Sequence, residues 1–243
     1  MEQKLGRVPA MAATAVLAAA AFFLRLNQLN KAFDESGMLT GKGVWLFSVV
    51  TILALVLAAL YSRTLRGRKK FAAITGTAAP LLILGCAAAL LMAVGSLMLL
   101  FSPKQQGDVL VALGGLLTAL CWIAAAMSRF NGKQPHVVLY LLPVVFYVVD
   151  LVCQFRFWSR DPVILDYCYE LGALICILFA VFHLCGFCFD KGSRRAAVFF
   201  SIGGIFFAAA SVAKASVVDL TTYLAAILWL GSHLWLLLRP KQR

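Results

Sequence analysis

Eight apolar runs of about twenty residues, set one after another, leave this chain few ways to fold. They occupy residues 8–26, 44–61, 81–101, 109–127, 137–155, 171–189, 196–213 and 220–238. A helix needs about 20 such residues to cross the hydrocarbon of a bilayer. The runs are continuous and do not alternate with a period of two, which sets them apart from the strands of a membrane barrel. The expected fold is an all-α polytopic bundle of eight transmembrane helices, a single domain over residues 1–243. Short connections make consecutive helices antiparallel neighbours. Composition agrees, with 63% of residues apolar and 13% charged, where soluble domains carry about 45–50% and about 25%. A soluble enzyme, a disordered chain and a disulfide scaffold are poor fits to so much hydrocarbon.

The basic residues predict the orientation. Sorted by the side of the bilayer they flank, fifteen of the 22 Lys and Arg fall with the two termini and seven fall on the other side. Two of the ten acids lie with the fifteen; the other eight lie opposite. By the positive-inside rule both termini are cytoplasmic. The sequence pI near 9.7 is then a property of loops that flank a membrane, not of a nucleic-acid surface. The densest run, residues 63–70, carries Arg63, Arg66, Arg68, Lys69 and Lys70 and reads as an anchor on anionic lipid headgroups at the inner face. Residues 8–26 read as a retained anchor, because the following Leu-Asn-Gln-Leu offers no small-residue cleavage site. The connecting loops are too short for an appended output domain.

Eight spans invite a test for a parallel four-plus-four repeat, 1–130 and 131–243. The fourth and eighth spans both open with Asp and close with Arg, from Asp108 to Arg129 and from Asp219 to Arg239. Small residues recur at helix-packing spacing, Gly85, Ala89 and Ala93 on the third span and Gly204 and Ala208 on the seventh. Such faces let backbones approach closely within one bundle.

Chemistry-bearing residues are few. Seven cysteines lie mostly within spans, where cysteine acts as a small hydrophobe; an odd total argues against a paired framework. Cys153 and Cys168 are near enough in the expected topology to bridge. The stretch from His183 to Asp190 contains Cys185 and Cys188, a Cys-x-x-Cys pair with metal or dithiol chemistry. In a regular helix His183 points away from both sulfurs. His183 and His233 fall at similar depth, as axial ligands of a haem would. No cofactor is predicted; haem and metal rest on these weak constellations alone. His136 flanks the fifth span.

Asp150 is the one carboxylate placed inside a span instead of at its edge, and such a group is costly unless paired or wetted. Arg25 and Lys214, at the ends of the first and seventh spans, are its candidate counter-charges. Asp166 and Glu170 stand four residues apart at the start of the sixth span and would draw a cation to the mouth. No phosphate-binding loop, zinc-protease or nucleophile-elbow pattern is present, so no catalytic residue is assigned. The expected function is binding or transport of a small solute or ion entered from the outer face. An accessory or sensor subunit docking a cytoplasmic partner through basic loops is the alternative. An intramembrane redox or metal protein built on Cys185 and Cys188 is the third reading.

Overall fold

The computed structural model describes residues 7–31, 42–65, 70–103, 105, 107–159 and 167–239. The described residues form eight long α-helices: α1 (Arg7–Lys31), α2 (Lys42–Thr64), α3 (Ala79–Phe101), α4 (Asp108–Phe130), α5 (Val138–Trp158), α6 (Cys168–Cys188), α7 (Arg194–Val212) and α8 (Val217–Leu237). A single 3-10 turn, Phe71–Ala73, precedes α3, and there is no strand among the described residues. Each of the eight helices is long and apolar enough to span a membrane. This is an integral, multi-pass membrane protein in contact with lipid.

Local chemistry sets the helix ends. Pro80 sits in the first turn of α3, where a missing N–H costs nothing. Ser216 accepts a hydrogen bond from the Asp219 N–H at 3.3 Å and starts α8. The Asp108 carboxylate accepts from the Gln105 N–H at 2.8 Å, and a negative charge there suits the first turn of α4. Gly107, just before that turn, has φ +112°, a conformation that glycine adopts freely. A Cβ there would also stand 3.1 Å from Cys153 Sγ. Gly107→Ala is expected to cost about 1–3 kcal/mol, readable as a lowered unfolding temperature in detergent. Gly132, with φ +67° and no atom within 4 Å of its would-be Cβ, is the control that isolates the backbone part.

The tertiary arrangement is a closed circuit. Helix α3 packs on α4, α4 on α5, α5 on α6, α6 on α7, α7 on α8, and α8 returns to α3. Helices α1 and α2 lie outside this ring against α7, with Ala21, Phe47, Ala54, Phe206 and Ala210 forming their own small core. In a four-plus-four division, α1 and α2 would correspond to α5 and α6, which are ring members. Clasped on both sides, α7 is the most buried span. Close approach is the means of closure: a Cβ on Gly95 of α3 would collide with Thr221 of α8, and one on Gly115 of α4 with Ser96 of α3. On α7, Gly204 brings the backbone against Leu230 of α8 and Ile177 of α6. The small residues thus serve packing within the bundle.

The face where α8 ends, here the terminal face, is tied by polar contacts between loops. Arg194 Nε donates to the Leu237 carbonyl at 2.6 Å, Arg195 Nε to that of Leu65 at 2.9 Å, and Arg239 to that of Thr75 at 3.2 Å. The Asp190 carboxylate, on a residue with φ 54°, accepts from the Phe71 N–H at 3.0 Å and so caps the 3-10 turn. The opposite, distal face carries Asp108, Lys214 and Asp219. Of the basic run, residues 66–69 lie outside the described residues.

Candidate functional site

The ring is lined by three stripes that each helix repeats every three or four residues. On α5 these are Tyr140, Pro143, Tyr147, Asp150 and Gln154; all but Gln154 are buried. On α4 they are Asp108, Val111, Gly115, Thr118, Trp122 and Arg129, and on α8 Asp219, Thr222, Tyr223, Ala226, Trp229 and His233. Side chains three, four and seven apart share one helix face. Their lipid-facing counterparts, such as Leu117, Val152 and Leu224, are apolar and exposed.

Asp150 is 5% exposed. It lies eight residues from the distal end of α5, a depth of about 12 Å at 1.5 Å per residue. It lines a cavity of about 60 Å³ together with Ser96, Asp108, Gln154, Asp219, Thr222 and Tyr223. That space holds a few waters or one small ion. Gln154, one turn on, hydrogen-bonds the Asp150 carboxylate, and the charges that act on Asp150 are those of Asp219 and Asp108. Tyr223 hydrogen-bonds with Ser211 and feels Glu170, Asp219 and Asp150. A wider pocket of about 930 Å³ shares Gln105, Asp108, Gln154 and Asp219 with the small cavity and opens it toward the distal face between α3 and α8. The two cavities together form a funnel that narrows onto one buried carboxylate.

The counter-charges expected for Asp150 are placed elsewhere. Arg25 is 2% exposed and donates to Gln28 at 2.9 Å. Its guanidinium lies 4.9 Å over the Tyr169 ring, at the junction of α1 with α6 outside the ring. Lys214 lies 4.8 Å over Tyr167, whose ring stacks on Trp158. Both cations thus rest on aromatic faces at the distal boundary. Glu170 is half-buried in the first turn of α6, beside the site. Asp166 lies outside the described residues.

The weaker constellations separate. Helix α6 runs unbroken to Cys188, so His183 turns away from the two sulfurs and stacks on Phe200 of α7, ring centres 5.6 Å apart. Cys185 and Cys188 are buried in the core. His233 is fully buried with both ring nitrogens engaged, Nε2 by Arg129 and Tyr140 and Nδ1 by the Trp229 carbonyl; neither is available to an iron facing His183. Cys153 and Cys168 are free thiols, Cys153 packed on Gly107 and Cys168 exposed. Among the described residues no three His, Cys, Asp or Glu side chains group to hold a metal. His136 is exposed at the start of α5, its Nδ1 3.4 Å from the Val138 N–H.

Sequence reading missed Gln154, Thr222 and Tyr223 around Asp150 and the burial of Arg129. Arg129, which closes the fourth span, lies in the last turn of α4 and is 2% exposed. The signal that would have found these residues is the polar stripe itself, above all Tyr140, Tyr147, Asp150 and Gln154 on a single face of α5. Comparisons with protein-family models, with curated proteins and with solved structures find no match.

Proposed function

We propose that the protein binds and moves a small cation admitted from the distal face, with Asp150 as its central ligand. The observation that carries this reading is a buried carboxylate at the bottom of a funnel, acted on by the charges of Asp219 and Asp108. An ionisable group at that depth is retained against a cost of several kcal/mol. Like charges gathered in a poorly screened cavity are relieved by a cation or a proton. Gln154, Thr222, Tyr223 and Ser96 supply neutral oxygens, the donor set a hard monovalent cation takes when it sheds part of its water. Asp108 and Asp219, in the first turns of α4 and α8, attract it at the mouth. The fifteen-to-seven split of basic residues orients the funnel mouth outward, with both termini in the cytoplasm beside anionic headgroups.

The test is uptake of protons, sodium, potassium and ammonium by vesicles carrying the full chain, beside Asp150→Asn. Saturable uptake of one of these ions is expected, falling at least tenfold in the variant while its unfolding temperature stays within a few degrees of the parent. Equal uptake by both proteins, or none of the four ions moved by the parent, sinks the reading.

A further inference from the structure

On the outside of the ring, α1 does not close onto the seam between α3 and α8. A groove of about 670 Å³ lies between them, running from Met11 to Ala18 on α1, from Pro80 to Leu84 on α3 and from Ile227 to Trp235 on α8. Ile227 is ten residues from the end of α8, so the groove reaches about 15 Å in from the terminal face at 1.5 Å per residue. That is half of the roughly 30 Å of hydrocarbon in a bilayer, or one leaflet. The groove shares no residue with the Asp150 funnel and does not depend on the cation reading.

Gly231 marks this space as open. Gly95, Gly115 and Gly204 sit where a Cβ would meet a neighbouring helix, but a Cβ on Gly231 would meet no atom within 4 Å. This glycine closes no helix pair; it deepens the groove. The two hydroxyls in the wall are engaged within their own helices. Thr14 Oγ1 donates to the Ala10 carbonyl and Ser232 Oγ to that of Trp229, both at 2.8 Å. The interior therefore offers hydrocarbon contact and no spare hydroxyl proton. An unfilled groove would forfeit dispersion contacts along its wall, and at this depth an acyl chain supplies them. A helix segment of the same length, about 10 Å across, would need about 1,200 Å³, more than the groove holds.

The terminal rim of the groove carries a cation. A Cβ on Gly76 would stand 3.1 Å from Arg239 Nη2 and 3.1 Å from Leu81 Cδ1, so the guanidinium lies beside a side chain of the groove wall. Arg239 Nη1 donates to the Thr75 carbonyl at 3.2 Å, which holds the guanidinium just before α3 begins, at headgroup level. Basic pockets between helices at that level take anionic headgroups, and a guanidinium on a phosphate makes the stronger, charge-assisted class of hydrogen bond. We propose that the groove binds one anionic phospholipid of the terminal-face leaflet, an acyl chain between α1 and the α3–α8 seam and the phosphate on Arg239. The lipid completes the packing of α1, whose main protein neighbours are α7 and α2.

The experiment takes the purified full chain in detergent and titrates it with dioleoyl phosphatidylglycerol or dioleoyl phosphatidylcholine. Retained lipid is counted by native mass spectrometry, and the unfolding temperature is followed in parallel. One phosphatidylglycerol per chain is expected to stay bound and to raise the unfolding temperature saturably, at a half-saturating concentration at least threefold below that of phosphatidylcholine. Gly231→Leu, which fills the groove, loses the bound lipid while its lipid-free unfolding temperature stays within a few degrees of the parent. Arg239→Gln still binds lipid but loses the threefold preference. Equal half-saturation by the two lipids in the parent overturns the proposal, as does undiminished retention in Gly231→Leu. If that variant does not fold, Arg239→Gln decides, and an unchanged preference there overturns the proposal.

Discussion

Trp229→Ala is expected to destabilise the protein by about 3–5 kcal/mol, the range for truncating a large buried aromatic side chain. The ring of Trp229 is the common wall of four groups on three helices. It stacks on Trp122 of α4 and carries Arg129 on its face. It also meets the rings of Tyr140 of α5 and His233 one turn on. In lipid there is little hydrophobic force between helices, so association rests on packing and on interhelical polar contacts. Removing this side chain opens a cavity at the centre of the ring and strips Arg129 of its cation–π contact at once. Trp229→Phe keeps the stack and is expected to cost less than half as much. Reversible unfolding in mixed micelles, monitored by circular dichroism, checks both; a loss below about 1 kcal/mol for the alanine variant would contradict the ring architecture.

Arg194→Ala is expected to cost about 2–4 kcal/mol, from two hydrogen bonds of a charged donor. Arg194 is 6% exposed at the start of α7, while its neighbour Arg195 is exposed. Its Nε donates to the Leu237 carbonyl at 2.6 Å and its Nη2 to that of Arg239 at 3.2 Å. The last carbonyls of a helix have no partner of their own, and a cation beside them also meets the negative end of the helix dipole. One side chain thus closes the end of α8 and pins it to α7. Arg194→Lys is expected to recover less than half of the loss, because an ammonium lacks the planar fork that reaches two carbonyls together. Arg195→Ala, whose contact with Leu65 is exposed, serves as the comparison and is expected to change stability by under about 0.5 kcal/mol.

The contrast between Arg194 and Arg195 marks the limit of what charge counting can do. Both are cations at the foot of a span, and the positive-inside rule treats them alike. Arg129 shows the same limit, since a cation that closes its span is 2% exposed. Asp150 was legible because it interrupts an apolar run well inside its boundaries. Its partners were not, because Gln154, Thr222 and Tyr223 look like ordinary boundary residues until the helices are rotated against one another.

Sequence by itself determined the number of crossings, their positions to within a few residues and the all-helical class. Those follow from the thickness of the hydrocarbon and the need to satisfy every backbone group within it. It also singled out Asp150 as the one carboxylate inside a span. Tertiary structure decided that six helices close into a ring while α1 and α2 stay outside. It also decided that Asp108 and Asp219 join Asp150 at one end, and that Arg129, His233 and Tyr140 meet at the other. The physical reason is that neighbour choice among apolar helices depends on how small residues such as Gly95, Gly115 and Gly204 let particular backbones touch. That is a property of pairs of surfaces, and no single span contains it.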